Sequence, residues 1–351
     1  MPTSRPTPGA PAAGGGEASF ADKRAFLESG AAWPGEPPPI CQETHASIVC
    51  LTRDRAWKLK KPVHLMHVDQ RSLASRERYC REELRLNREM SGAVYRGLTA
   101  LVQRPDGTLS LGGAGRIVDW VIETQRLPAT EMLDSRLATG RAPVPAEIDA
   151  LADVLIGFYR GRAPLRDAAD VFLRRLQRDS RIGCTHLREM APKVGVDLPG
   201  PVLRYAEMAV ADCGPEIAAR DKAGLLIEGH GDLRAEHVCL TQPPVLFDRL
   251  EIDHGLRILD PFFEVNALAL ECGLRGAGWI GTQLMARLGS AFTPPGPRLM
   301  TVYGVIACVT RARFALDHFR DSAVPTPEKW VTRANEYLAA AAGLIDATQP
   351  A

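Results

Sequence analysis

The chain has 351 residues, enough for two domains or one two-lobed domain with a substantial core. Apolar residues make up 45% and charged residues 24%, as in an ordinary globular protein, and the net charge of +1 gives no bulk attraction to nucleic acid or an anionic membrane. No apolar run is long enough to cross a bilayer, so neither a nucleic-acid nor a membrane partner is expected.

Residues 1–39 read as a Pro/Gly-rich tail and lead-in. The first 20 or so are expected to be disordered, because such a composition buries too little surface to offset its ordering entropy. Eight cysteines are scattered with no CxxC pair. That spacing suggests reduced core thiols in a cytoplasmic protein, rather than a disulfide frame or a zinc site.

From residue 40 to about residue 122 short β-like runs dominate. SIVCLT (47–52) and RAWKLKKPV (55–63) flank a turn at Arg53-Asp54. A helix is predicted over 72–90, starting at a Ser cap. Pro105-Asp106-Gly107 marks a turn between two strands, and 115–124 is a further apolar strand. From 123 to 347 the pattern is mainly helical, with segments near 145–161, 167–190, 200–220, 263–273, 278–290, 298–320 and 327–345. Two short strands, 238–240 and 245–248, interrupt it. A β-rich lobe with one helix followed by a larger helical lobe is an α+β order, not the βαβ alternation of a doubly wound sheet.

The densest polar cluster is IEGHGDLRAEHVCL (227–240) followed by VLFDRLEIDHGLRILDPFFE (245–264). Apolar strands that hold carboxylate-bearing loops provide the rigid scaffold that metal-assisted chemistry needs. A salt-bridged surface loop would have the same composition.

The order of residues is more specific. HGDLRAEH resembles the catalytic loop of protein kinases and the corresponding loop of aminoglycoside phosphotransferases and choline kinases. The blocks ETHASIVCLTRDRAWKLKKPV and CREELRLNREM resemble the strand-lysine and helix-glutamate arrangement of the kinase N-lobe. Over residues 40–320 the chain is similar to a bacterial family of uncharacterised aminoglycoside-phosphotransferase-like proteins. The resemblance implies a protein-kinase-like two-lobed fold with an N-lobe over 40–122 and a C-lobe over 123–347. It also implies ATP-dependent phosphoryl transfer to a hydroxyl of a small molecule, with Mg²⁺.

Residue roles follow from that resemblance. Asp232 would orient the acceptor hydroxyl, and Arg234 would clamp the transferring phosphoryl group. Asp248 would bind the metal. Lys58 or Lys60, held by Glu83 or Glu82, would pair the nucleotide phosphates. Thr44, His45 and Ser47 occupy the place of the phosphate-covering loop, which here lacks glycine, and the adenine is expected near 118–123. His237 stands where the family carries Asn. It is open to ligating a softer ion such as Mn²⁺, to bonding Asp232, or to marking a site without turnover. His230 reads as structural, and Asp260 and Glu264 as helix-start residues.

The family domain is often fused to a P-loop ATP-binding domain, and no GxxxxGK[ST] occurs here, so a separate partner of that kind is an expectation. Two other functions fit the same residues. One is a nucleotide-binding pseudokinase; the other is a metal-dependent hydrolase using His230, Asp232 and His237. The Arg-rich segment 167–190 suggests an anionic or neutral substrate rather than a cationic one.

Overall fold

The computed structural model describes residues 17–65, 68–163, 165–320 and 326–348; the tail before residue 17 and His67 lie outside them. The chain divides into two compact units, one ending at Leu127 and one starting at Pro128. The first is a β-sheet lobe and the second a helical lobe, as the α+β pattern predicts.

The first unit opens with a helix, α1 (Phe20–Glu28), where a tail and lead-in were expected. The Ser19 hydroxyl accepts from the Asp22 amide, and the Asp22 carboxylate accepts from the Ser19 amide, a capping box. Leu27 and Trp33 pack into the core with Trp57 and Leu59. The Pro/Gly composition of this stretch hid these two apolar anchors.

The strands are β1 (Ile40–Glu43), β2 (Ser47–Leu51) and β3 (Arg55–Lys60), then a small hairpin of β4 (His64–Leu65) and β5 (Val68–Asp69). Helix α2 (Leu73–Ser91) follows, with Ser72 as its cap. The lobe ends with β6 (Tyr95–Gln103), β7 (Leu109–Leu111) and β8 (Arg116–Gln125). The six-stranded sheet has the order β1-β2-β3-β8-β6-β7. Strand β8 stays paired to β3 as far as Gln125 opposite Arg55, so the lobe runs past the expected boundary at 122. On its helix-facing side, Asp119 of β8 takes a two-pronged bond from Arg76 of α2 (both 2.8 Å) and one from Lys23 of α1 (3.0 Å). All three side chains are buried, so this ionic knot ties both helices to the sheet.

The antiparallel register of β1 and β2 sets Cys41 opposite Cys50, and the two form a disulfide. That corrects the expectation of reduced thiols for this pair. The other six cysteines are free and buried. Burial pushes Cys184 up to about 11 and Cys272 and Cys308 up to about 12, so these are inert core thiols.

The second unit runs α3 (Leu133–Ala138), α4 (Pro145–Arg160), α5 (Ala168–Val194), α6 (Gly200–Asp212) and α7 (Gly214–Lys222). Sequence periodicity merged α6 and α7 into one helix. Pro215 lacks the amide needed to continue the helical ladder, and the break falls at Cys213. Four two-residue strands follow: β9 (Ile227–Glu228), β10 (Val238–Cys239), β11 (Val245–Leu246) and β12 (Ile258–Leu259). They pair β10 with β11 and β9 with β12. The unit closes with α8 (Pro261–Gly273), α9 (Gly278–Ala291), α10 (Pro297–Asp317) and α11 (Pro327–Asp346).

Phe172, Phe263 and Tyr303 join α5, α8 and α10 through edge-on ring contacts with centroids 5.4–5.8 Å apart. Helix α5 crosses α10 so closely that a Cβ on Gly183 would lie 2.5 Å from a Val309 methyl. Among the described residues one helical segment, 297–320, is long and apolar enough to cross a membrane. Its most apolar stretch is 78% buried, which makes it the core helix of this unit.

Candidate active site

In the first unit β3 alternates. Trp57 and Leu59 face the apolar core, and Lys58 and Lys60 face α2. Helix α2 buries Arg76, Tyr79, Cys80, Glu83, Leu86 and Asn87, a single helical stripe. Glu83 is therefore the glutamate that meets the strand. Lys58 Nζ lies 2.9 Å from its Oε1, and Lys60 Nζ lies 2.6 Å from its Oε2. The sequence left both choices open. The structure brings both lysines to Glu83 and turns Glu82 outward to Arg85 at 2.7 Å, away from the site. The side chain of Lys60 is 2% exposed and that of Lys58 21%, so Lys58 is the one able to meet a ligand.

The turn between β1 and β2 is closed on itself. The Thr44 amide donates to the Ser47 carbonyl (2.8 Å), and the Ser47 amide donates to the Thr44 hydroxyl (3.0 Å). The amides of Thr44 and Ser47 are thus spent within the turn, while His45 is exposed at its tip. The stretch 118–123, expected beside the adenine, is the interior of β8. Val121, Ile122 and Glu123 are paired on both edges, to β3 and to β6, so their backbone groups are committed to the sheet.

In the second unit the loop 230–237 is held from below by carboxylates that the sequence did not single out for this purpose. Glu264 is buried; it accepts from the His230 amide (3.1 Å), the Gly231 amide (2.7 Å) and the Tyr159 hydroxyl (2.7 Å). Glu264 starts α8, as expected, but its carboxylate works as the clasp of the loop. Asp260 caps α8 by accepting from the Phe262 amide (2.9 Å) and is paired with Arg220, which fits its expected structural role. Glu271 accepts from the Ala235 amide at 2.8 Å.

His230 is fully buried, and burial pushes its imidazole below the usual value, so it stays neutral. Nε2 donates to the Phe247 carbonyl (2.9 Å), and Nδ1 accepts from the Asp232 amide (3.4 Å). With both nitrogens engaged it is structural, as the sequence suggested, and is no metal ligand. His237 stacks on it, with ring centroids 5.6 Å apart.

Asp232 receives a hydrogen bond from Arg311 of α10, Nη2 to Oδ1 at 2.8 Å. Burial works against ionisation of Asp232, but Arg311, with His237 and Arg234, holds its carboxyl well below the usual range. The same guanidinium sits beside Glu271, whose carboxyl is also held down by Arg311 and Arg234 against the effect of burial. Arg311 lies 79 positions from Asp232 in a helix that reads as apolar core, so no local signal marked it. Arg234 pairs with Glu236 and lies 3.7 Å from Glu271, so its charge is engaged within the loop.

His237 bonds Asp232, but through the backbone. Its Nδ1 donates to the Asp232 carbonyl oxygen at 2.8 Å. This fixes the tautomer and turns Nε2 toward Asp248 Oδ2, 3.7 Å away. Asp248 follows β11 with φ +60°, a left-handed conformation that non-glycine residues rarely hold and that recurs at functional sites. Arg249, fully buried, donates to the Gly229 carbonyl (2.8 Å) and pins Asp248's neighbour to the strand leading into the loop.

Among the described residues no group of three or more His, Cys, Asp or Glu side chains could hold a metal ion. Asp248 and the His237 imidazole stand 3.7 Å apart, an oxygen and a nitrogen donor beside one another. Mg²⁺ is commonly held by one or two carboxylates and completed by phosphate and water.

No family model matches the chain. An uncharacterised protein of Mycobacterium tuberculosis (strain ATCC 25618 / H37Rv) is 31% identical over 287 residues, which is 79% of this chain and 55% of that protein. An uncharacterised protein of Mycobacterium bovis matches to the same extent. The chain thus spans about half the length of the curated relatives it matches. Among solved structures, a GDP complex of an aminoglycoside 2'-phosphotransferase mutant is 16% identical with a TM-score of 0.53, over 93% of this chain and 99% of that one. Choline kinase of Cryptosporidium parvum Iowa II is 11% identical with a TM-score of 0.51, over 93% and 97%. The chain has the protein-kinase-like fold shared by the aminoglycoside phosphotransferases and choline kinases.

Proposed function

We propose that the chain is an ATP-dependent phosphotransferase that moves the γ-phosphoryl group to a hydroxyl of a small molecule, with Mg²⁺ or Mn²⁺. The observation that carries this reading is the loop 230–237. Glu264 and Glu271 brace its amides, and Asp232 is held ionised on it, where the resembling kinase loops carry their catalytic Asp. Phosphoryl transfer asks the protein mainly for positioning and charge neutralisation. A carboxylate held ionised by Arg311 suits the task of orienting a hydroxyl, which needs an acceptor more than a strong base.

Asp248 would hold the metal, which neutralises phosphate charge when bound. The Nε2 of His237, turned toward Asp248, favours Mn²⁺ more than an asparagine amide would. Lys58, steadied by Glu83, would pair the nucleotide phosphates, and Lys60 would hold Glu83 in place. Arg234 would reach a phosphoryl group only by giving up Glu236. A separate P-loop ATP-binding partner remains part of this reading, because the relatives extend well beyond the region matched here.

Two observations favour a second reading, a nucleotide-binding module with little turnover. Arg311 occupies an oxygen of Asp232, and the β1–β2 turn keeps its Thr44 and Ser47 amides to itself. Release of ADP from ATP-Mg²⁺ in the presence of a panel of hydroxylated metabolites separates the two. The phosphotransferase reading expects acceptor-dependent ADP release that disappears in Asp232→Asn. Nucleotide binding with no acceptor raising ADP release above its background would establish the second reading.

A further inference from the structure

We propose that the second unit carries a binding site for a small polyanion in a groove on α5, independent of the phosphotransferase reading. The groove has a volume of about 580 Å³ and is walled by Arg174, Arg175, Arg178 and Arg181, with the loop at Asp253 and Gly255 opposite. Positions 174, 178 and 181 follow one another at helical spacing, and Arg175 lies beside them, so a single helix face presents the four guanidinium groups. That volume falls within the range of small-molecule sites.

The charges do not cancel. Asp179 is shared between Arg175 (3.4 Å) and Arg178 (3.5 Å). Asp170 lies 3.7 Å from Arg174, and both of those side chains are largely exposed. Arg181 is exposed and has no ion-pair partner among the described residues. Asp253 turns an oxygen to the Gly255 amide (2.8 Å) to cap its own loop. Arg178 Nε lies 3.5 Å from Asp179 Oδ1 and makes no closer hydrogen bond. Arg175 is buried, where loss of solvent disfavours its charge, and it leans on that same carboxylate and on the Leu256 carbonyl. An anion in the groove would add acceptor oxygens that the single shared Asp179 does not supply.

Arginine forks match phosphate and carboxylate oxygens in pairs, so the ligand class is a metabolite with at least two such groups. The opposite wall is anchored to the loop that carries Asp232. Leu256 accepts from Arg175, Arg257 accepts from the Gly229 amide (2.8 Å), and the Leu250 amide donates to the His230 carbonyl (3.0 Å).

The test is calorimetric titration of the full chain, in EDTA, with inorganic pyrophosphate and separately with citrate, against sodium chloride of matched ionic strength. The expected result is one saturable site. Binding should weaken by about tenfold for each arginine removed in Arg178→Ala and Arg181→Ala, and be unchanged in Asp248→Asn. Arg181 is exposed, so its variant tests the site without threatening the fold. Binding of pyrophosphate alone assigns a phosphorylated ligand, and binding of citrate alone assigns a polycarboxylate. No heat beyond the matched salt, or equal binding by both arginine variants and the parent, overturns the proposal.

Discussion

Asp232 and Arg311 show how one residue sets the chemistry of another. The folded Asp232 carboxyl lies below its unfolded value, so the pair contributes stability above about pH 4. That contribution is lost as pH falls from there toward the folded value. Arg311→Met should cost about 2 kcal/mol at pH 7, the scale of a hydrogen bond between charged groups. Urea midpoints of parent and variant should converge as pH drops below about 4. The same variant should shift any acidic limb of the activity profile to higher pH, an effect that mere loss of packing would not produce.

His230 carries the same sign of linkage in a higher pH window. Its folded value lies below the unfolded one, so its contribution is full above about pH 6.5 and declines as pH falls through that value. His230→Gln should flatten the dependence of stability on pH between about 5 and 7, as read from urea midpoints at each pH.

At the scale of elements, the loop 230–237 and the strand β3 act through what braces them. Gly231 has φ +93°, and a Cβ there would lie 3.1 Å from Leu250 Cβ and from the Arg257 stem. Gly231→Ala should therefore destabilise by about 1–3 kcal/mol and move Asp232, which thermal melts and an activity assay would show together. Lys58→Ala should weaken nucleotide binding with little change in melting temperature. Lys60→Ala should instead cost about 3 kcal/mol, because it breaks a buried ion pair. Equal effects of the two substitutions on both readouts would contradict the division of roles between them.

The elements also show what sequence reading can reach. The strands, α2 and the HGDLR loop were legible because period, cap and motif are local. Whether Glu82 or Glu83 pairs with the strand was settled only by the buried stripe of α2. Glu264, Glu271 and Arg311 come to the loop from 33 to 79 residues downstream, across contacts that no spacing encodes. The short α1 was missed because its surroundings have a linker's composition. The Cys41–Cys50 bridge needed the β1–β2 register, and β1 itself gave no alternating apolar pattern.

At the scale of the molecule, each unit is complete as a core, and each carries one part of the machinery proposed above. The disulfide belongs to the first unit and closes a short loop, for which chain entropy gives about 2–3 kcal/mol. Dithiothreitol, or the Cys41→Ser and Cys50→Ser pair of substitutions, should lower the melting temperature without abolishing folding.

The central claim is that nucleotide binds through a metal held at Asp248. A thermal-shift titration of ATP with Mg²⁺, and separately with Mn²⁺, on the parent chain and on Asp248→Asn tests it most directly. A ligand at 100 times its dissociation constant stabilises the native state by about 2.7 kcal/mol, which is readily visible. The account predicts a metal-dependent upward shift in the parent, favouring Mn²⁺ through His237, and its loss in Asp248→Asn. No shift with either metal, or an equal shift in the variant, would contradict it.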